Sequence, residues 1–504
     1  MNIRRNIYSL SPDGPEIAAL RAGVAEMQSR PPSDPTSWIY QANIHGSFDA
    51  PPNETARRLW NQCQHQSFFF LSWHRMYLLN FERILREASG DPDLALPYWD
   101  YANSAHRALP LAFREPADAS NPLYVLQRDL NINRGGLLPE ASVQHRRAFG
   151  LVNYMAPTSR LSFGGPTVPA PQHFGTREQR VGALENEPHN NMHGLVGGGA
   201  GQAGEISWDR GWMSHPNTAA RDPIFWLHHS NIDRLWGRWL DQGGGRENPV
   251  NDDVWMDTVF TFIGMDEQGD VIEDSLTGRD ILDTLRQLDY RYDDDPPLLP
   301  PVPFPAEVAA ADVELAAEER QPTLVGASEG RAMIELGAAQ LTVPIEMQDE
   351  AREAVAGVAA AEVVENRVVL SLEGIQYEES PGVSYEVYIN LPEGREPDYR
   401  SEYFAGTLGF FGLEPDHVHG GGHGSEAEEH QQPSATVSFD ITPNVRALQA
   451  RGEWREGQVS ATFVMRRVLP PPGDEAAAEE AAAATLQTEP GGRPRIERVT
   501  LNTE

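Results

Sequence analysis

Asp222-Pro223-Ile224-Phe225-Trp226-Leu227-His228-His229-Ser230-Asn231-Ile232-Asp233-Arg234-Leu235-Trp236 decides how this chain folds. Asp222 reads as an N-cap, because its carboxylate can accept from first-turn amides, and Pro223 as the first helical residue. The run that follows is so apolar that the helix must be buried. Two histidines inside it are expensive passengers, since a buried polar group without a partner costs about 1–3 kcal/mol. Neighbouring residues leave a helix about 100° apart, so only one of the two can aim directly at a given stripe. Periodicity does not choose between His228 and His229.

Two further histidine groups supply partners. In His189-Asn190-Asn191-Met192-His193 the imidazoles are spaced i, i+4, on one helical face about a turn apart, which is a chelating spacing. Two surface histidines would be the plainer reading of that pair alone. His65 and His74 are half a turn out of phase, so they cannot share one face of a regular helix. If both hold one ion, His65 precedes the helix and His74 lies on it, with Ser72 as the expected cap and Tyr77, Phe81 and Leu85 continuing it. His45 brings the count to three plus three. Imidazole-only sites without carboxylate or thiolate suit copper rather than magnesium, calcium or iron. Zinc also accepts histidine, and ligand type alone does not separate the two metals. Two such copper ions side by side can take O2 between them.

The remaining composition narrows the possibilities. The 504 residues suggest two or three domains, and the formal charge of −34 leaves no clustered cations for nucleic acid or an anionic membrane surface. No window is long and apolar enough to span a bilayer. MNIRRNIYSLSPDG has no apolar h-region, so no signal peptide is expected and the expected location is cytoplasmic or otherwise soluble. A single cysteine, Cys63, excludes an intrachain disulfide. All 40 basic residues are arginine. Codon bias accounts for that, although a lysine-free chain also resists a product that attacks amines. Oligomeric state is not readable from these features.

Residues 1–295 carry helical signals between Gly/Pro loops. Residues 296–321 form a Pro/Ala/Glu-rich linker, stiff where prolines dominate. In 322–504 the period shifts toward two, predicting strands at Val368–Leu372, Val383–Ile389 and Val459–Met465, with a last one at Arg495–Leu501. A β-sandwich-like unit follows from this, interrupted by a low-complexity acidic loop at 471–490.

At this point the sequence resembles the type 3 dicopper tyrosinases and polyphenol oxidases, in a plant-like layout with a C-terminal shielding domain. His65-x8-His74 with Arg75 and Tyr77 resembles their copper A helix. Pro188 to Gly194 resembles the start of copper B, and Asp222 to Asp233 its end. The family pattern D-P-x-F-x-x-x-H-x-x-x-D implies that His229 is the ligand and His228 its neighbour. Val254-Trp255-Met256-Asp257 and Leu288-Asp289-Tyr290-Arg291-Tyr292 are similar to segments closing plant-type catalytic domains. Gly374 to Tyr377, Tyr385 to Asn390 and Tyr403 to Thr407 are similar to the shielding domain. The long Gly-rich insert between His193 and His229, and the distance from His45 to His65, depart from the pattern. They leave the gate over copper B open among Met213, His215 and Pro216.

The resemblance implies a mainly α catalytic domain, a four-helix bundle around a dicopper site, followed by a small all-β C-terminal domain. It implies one copper on His45, His65 and His74 and another on His189, His193 and His229. Cys63-Gln64-His65 implies a thioether between Cys63 and His65, the alternative being an inert buried thiol. Glu185 and Asn190 are expected to hold a water that takes the proton of an incoming phenol. The implied reaction is O2-dependent hydroxylation of monophenols and oxidation of o-diphenols to o-quinones, in an enzyme kept latent by its C-terminal domain. A catechol oxidase without monophenolase activity and a haemocyanin-like O2 carrier are the alternatives. The implied partners are phenolic small molecules and O2, with no nucleic acid and no membrane. The loop His417 to His423 could pass copper inward or be merely solvated.

Overall fold

Five helices organise the first half of the chain in a computed structural model that describes residues 1–157, 161–171, 173, 180–199, 211–266, 268–296, 322–328, 333–348, 355, 367–377, 380–413, 435–454, 459–474 and 493–503. α1 (Pro15–Ser29) opens on a proline, and α2 (Trp38–His45) is capped by Ser37, whose hydroxyl oxygen accepts from the Tyr40 amide. α3 (Phe70–Ser89) stops at Gly90, which takes the left-handed conformation (φ 69°) that only glycine adopts without strain. α4 (Asn191–Gly197) is short. α5 (Pro223–Asp241) begins as the sequence predicts, with the Asp222 carboxylate accepting from the Ile224 amide.

One expectation fails at α3. Ser72 is not its cap, because the helix starts two residues earlier. The Ser72 hydroxyl instead donates to the Phe69 carbonyl, and Ser67 Oγ accepts from the Phe69 amide. The cause is the buried run Phe68-Phe69-Phe70, which draws the helix start into the core.

α1 lies so close to α3 that a methyl group at Gly23 would sit 2.8 Å from the Leu85 carbonyl oxygen. α3 meets α5 through stacked Phe81 and Trp226. A hairpin, β1 (Phe260–Met265) and β2 (Val271–Leu276), packs on α3, so the helical half is not purely helical. Near the N-terminus, Asn2–Arg4 pairs in parallel with Tyr290–Tyr292. That pairing delivers the Arg4 guanidinium to Glu82 at 2.9 Å and Asp233 at 3.2 Å, all buried.

The second half is an eight-stranded antiparallel sheet: β3 (Thr323–Ala327), β4 (Gln340–Met347), β5 (Val368–Ile375), β6 (Ser384–Ile389), β7 (Phe404–Leu408), β8 (Ala435–Asp440), β9 (Val459–Arg466) and β10 (Arg498–Thr503). Its order is β7-β6-β9-β4-β3-β10-β5-β8. The segments predicted around Val368–Leu372, Val383–Ile389 and Val459–Met465 lie in it, whereas the predicted Arg495–Leu501 divides: Arg495–Ile496 pairs with Ile334–Glu335 in a separate two-stranded sheet, and only the part from Arg498 joins the large one. Phe439 of β8 packs against Gly406 of β7, so the two sheet edges face each other around one core. Every residue of β6 is buried, because one face lines that core and the other meets the helical half, where Ser384 Oγ lies 2.8 Å from Ser142 Oγ. The C-terminal half is not all-β, contrary to expectation: α6 (Thr442–Ala450), with Pro443 in its first turn, packs Val445 and Leu448 into the core.

Most of the linker, most of the acidic loop, the Gly-rich insert at 200–210 and the His417–His423 loop lie outside the described residues. Among those described, no helix is long and apolar enough to cross a membrane.

Candidate metal centre

Six buried imidazoles converge from five short stretches of chain. His45 ends α2, His74 sits in the second turn of α3, His193 on α4 and His229 on α5. His65 precedes α3, as the phase argument requires, beside Gln66 at φ 53°. His189 lies just after a kink at Glu187 (φ −130°, ψ 113°), on the stretch that runs into α4.

Oxygen atoms orient five of the six. His45 Nδ1 lies 2.9 Å from the Pro216 carbonyl, His74 Nδ1 2.7 Å from the Phe70 carbonyl and His193 Nδ1 2.7 Å from the Met213 carbonyl. His189 Nδ1 is 2.9 Å from Asn190 Oδ1, and His65 Nδ1 is 3.1 Å from Glu185 Oε1. A carbonyl only accepts, so Nδ1 carries the proton and the Nε2 lone pair turns inward. His45 Nε2 then faces His65 Nε2 at 3.4 Å, and His193 Nε2 faces His229 Nε2 at 3.4 Å. His74 Nε2 and His189 Nε2 are buried without a hydrogen-bond partner among the described residues. Inward lone pairs without donors are what a bound cation satisfies, so the residues fit a metal pair. The triplets adjoin, because His74 and His229 stack at 4.3 Å between ring centroids.

Burial pushes all six imidazoles below their usual range, His65 to about 3, and so favours the neutral form that binds metal. Burial likewise pushes the Glu185 carboxyl up to about 8. Both Glu185 oxygens lie 3.0 Å from the Gln66 amide nitrogen. Glu185 and Asn190 therefore each contact an imidazole, one on each triplet. Cys63 is buried near His45 and His65, with Sγ 3.5 Å from His173 Nδ1. Nothing in the sequence pointed to His173.

The three gate candidates do other work. Met213 and Pro216 orient His193 and His45 through their carbonyls, while His215 Nδ1 accepts from the Asn217 amide at 3.1 Å. The ring that covers the second triplet is Phe411, stacked on His193 at 3.7 Å and 12°. It belongs to the turn after β7, which is fastened to the Glu185–Asn191 stretch. Asn191 Nδ2 donates to Thr407 Oγ1 at 2.6 Å, Asn186 Nδ2 to the Thr407 carbonyl at 3.1 Å, and the Thr407 amide to Glu187. Gln66 Nε2 donates to the Gly412 carbonyl at 2.6 Å. A signal for this turn existed in the sequence: Phe410-Phe411 bracketed by Gly409 and Gly412, where a Cβ at 409 would lie 2.7 Å from the Asn191 amide nitrogen.

Residues 35–242 match the common central domain of tyrosinase, and residues 321–474 match a domain of unknown function, DUF7868. A tyrosinase of a Hahella species is 29% identical over 92% of this chain and 95% of its own length. The latent, chloroplastic polyphenol oxidase of Prunus armeniaca is 28% identical over 74% of this chain and 60% of its own. The structure of latent apple tyrosinase shares the fold, with a TM-score of 0.61 at 20% identity, covering 100% of this chain and 97% of that one. Fold and site thus define a copper oxidase with a type 3 pair of copper ions. The chain belongs to the tyrosinase and polyphenol oxidase family, whose members act on phenolic substrates with O2. The chloroplastic location in the Prunus relative's name overturns the expectation of a cytoplasmic location. The lack of an apolar h-region in MNIRRNIYSLSPDG does not bear on import by a transit peptide, which is amphipathic rather than apolar.

Proposed function

We propose that this chain hydroxylates monophenols at the ortho position and oxidises o-diphenols to o-quinones, with reduction of O2 to water. One copper is held by His45, His65 and His74 and the other by His189, His193 and His229. The observation that carries the reading is the inward convergence of Nε2 atoms from two adjoining triplets, five of whose six Nδ1 atoms are tied back to oxygens. Bound there, the copper pair supplies the electron exchange with O2.

The protein's residues supply position and proton handling. Carbonyls of Phe70, Met213 and Pro216 hold the rings in the ligating tautomer. Glu185, fixed by the Gln66 amide, and Asn190 hold the water that takes the phenol's proton. A Cys63–His65 thioether restrains the loop before α3, consistent with the closeness of Cys63 to His65. Phe411 occupies the face of His193 over which a phenol ring would stack, which supports a shielding role for residues 322–504 over a catalytic unit at 1–295, joined by 296–321. The enzyme is latent for that reason.

Copper analysis tests the site: two ions per chain, with an absorption band growing in on addition of hydrogen peroxide, are expected, and one ion or none rejects it. A catechol oxidase without monophenolase activity is the second reading, favoured by the engagement of the Glu185 carboxyl with Gln66 and His65. Glu185→Gln separates the two by the ratio of tyrosine to catechol turnover. A drop of about 10²-fold or more supports the water-holding role, and an unchanged ratio removes it. Reversible O2 binding with no catechol turnover after cleavage of the linker would make the chain a carrier.

A further inference from the structure

Among the described residues, four besides glycine take a left-handed backbone: Asn61, Gln66, Asp289 and Asn390. Asparagine and aspartate tolerate that region through short-range hydrogen bonds to their own backbone, a relief that the longer glutamine side chain does not give. Gln66, at φ 53°, is therefore held there by its surroundings. It follows the ligand His65 directly and is buried.

Both ends of this residue are occupied. Its amide nitrogen lies 3.0 Å from each oxygen of Glu185, so the N–H points between them and fixes the plane of the carboxyl as well as its position. Its side chain reaches the other half of the chain, where Nε2 donates to the Gly412 carbonyl at 2.6 Å. Gly412 lies in the turn after β7 and is itself left-handed, at φ 73°. Rotation of Gln66 out of the left-handed region swings its amide relative to its side chain. One of the two contacts then breaks, so the hold on Gly412 resists loss of the hold on Glu185.

We propose that Gln66 is a positioning residue for ortho-hydroxylation, braced by Gly412 so that its amide keeps the Glu185 carboxyl where the phenol's proton is taken. This rests on the proposed water-holding role of Glu185. The second half of the chain then does more than cover the second triplet: it also steadies the carboxyl beside His65 of the first. A chain whose turn at Gly412 is displaced loses hydroxylation before it loses diphenol oxidation.

Substitutions at the two ends separate the brace from the backbone. Gln66→Ala loses the brace and keeps the left-handed cost, whereas Gln66→Gly loses the brace but carries no such cost. Gly412→Val puts a β-branched residue at φ 73° and moves the carbonyl. In the metal-free full chain, amide hydrogen exchange at residue 66, corrected for residue type, is expected to be about tenfold faster than native in Gln66→Ala and in Gly412→Val. It is expected to stay near native in Gln66→Gly and in the double variant Gly412→Val with Gln66→Gly. In copper-loaded chains opened by Phe411→Ala, the ratio of tyrosine to catechol turnover should follow the same order, falling about fivefold or more in the first two and holding in the two that carry Gln66→Gly. Equal exchange for alanine and glycine at residue 66, or a Gly412→Val effect that Gln66→Gly does not rescue, overturns the proposal. So does a ratio that Glu185→Gln lowers and Gln66→Ala leaves alone. A ratio that neither substitution moves overturns the water-holding role of Glu185 itself, while the exchange pattern still decides the brace.

Discussion

Phe411 and His193 lie face to face, a contact between the two halves of the chain at the metal centre. A stacked aromatic pair contributes about 0.5–1.5 kcal/mol beyond the roughly 1.5–3 kcal/mol of burying a phenylalanine side chain. Since about 1.4 kcal/mol is a factor of ten, Phe411→Ala is expected to raise catechol turnover of the uncleaved protein at least about tenfold. Turnover that stays at the native level, while linker cleavage still raises it, would relieve Phe411 of the shielding role. Several residue-scale features were legible in advance. The His65–His74 phase put one ligand off the helix, and the Asp222-Pro223 pair marked a helix start. The contact of Phe411 was not legible, because nothing local ties a turn in the second half to an imidazole in the first.

At the scale of elements, α5 depends on the residue that caps it more than most helices do. Asp222 caps it and also takes a bidentate, fully buried ion pair from Arg128, at 2.7 Å and 2.6 Å. Asp222→Ala removes the cap and strands a buried guanidinium, so a loss of about 3–5 kcal/mol is expected. Urea denaturation measures it, and a loss under about 1 kcal/mol would mean that Arg128 finds water. The capping half of this was legible from Asp-Pro ahead of an apolar run. The ion pair was not, since Arg128 lies far away in sequence and its own neighbourhood is an unremarkable loop. The start of α3 shows the opposite failure: Ser72 is a good cap by type, but three consecutive buried phenylalanines outweigh a capping preference of about 1 kcal/mol.

Across the whole molecule, Asp233 gathers the N-terminal strand, α3, α5 and the segment after the hairpin. It accepts from Arg75 at 2.6 Å, Arg4 at 3.2 Å and the hydroxyls of Tyr290 and Tyr292 at 2.6 Å each. Burial alone would raise its carboxyl, but Arg75, Arg4 and the two hydroxyls outweigh it and hold the group below its ordinary value of 3.8. A depressed carboxyl stabilises the fold fully above its unfolded value and loses that contribution as pH falls through the folded one. The native chain should therefore melt above Asp233→Asn at pH 7, with the gap closing below about pH 4. A gap that stays constant down to pH 2 would mean the carboxylate charge contributes nothing. On the same scale, cutting within 297–321 is expected to raise catechol turnover, and intact turnover equal to the cut form would show that the second half shields nothing.

The amino-acid order by itself determined the helix carrying His228 and His229, the i, i+4 pair at His189 and His193, the placement of His65 ahead of a helix, and the strands of the second half. All are set by local phase, capping and alternation, which act over a few residues. Only the tertiary structure decided that the two triplets adjoin, that Phe411 covers one of them, and that Gln66 reaches from Glu185 to Gly412. Those are contacts between segments tens to hundreds of residues apart, and they follow from how buried faces pack together rather than from any spacing along the chain.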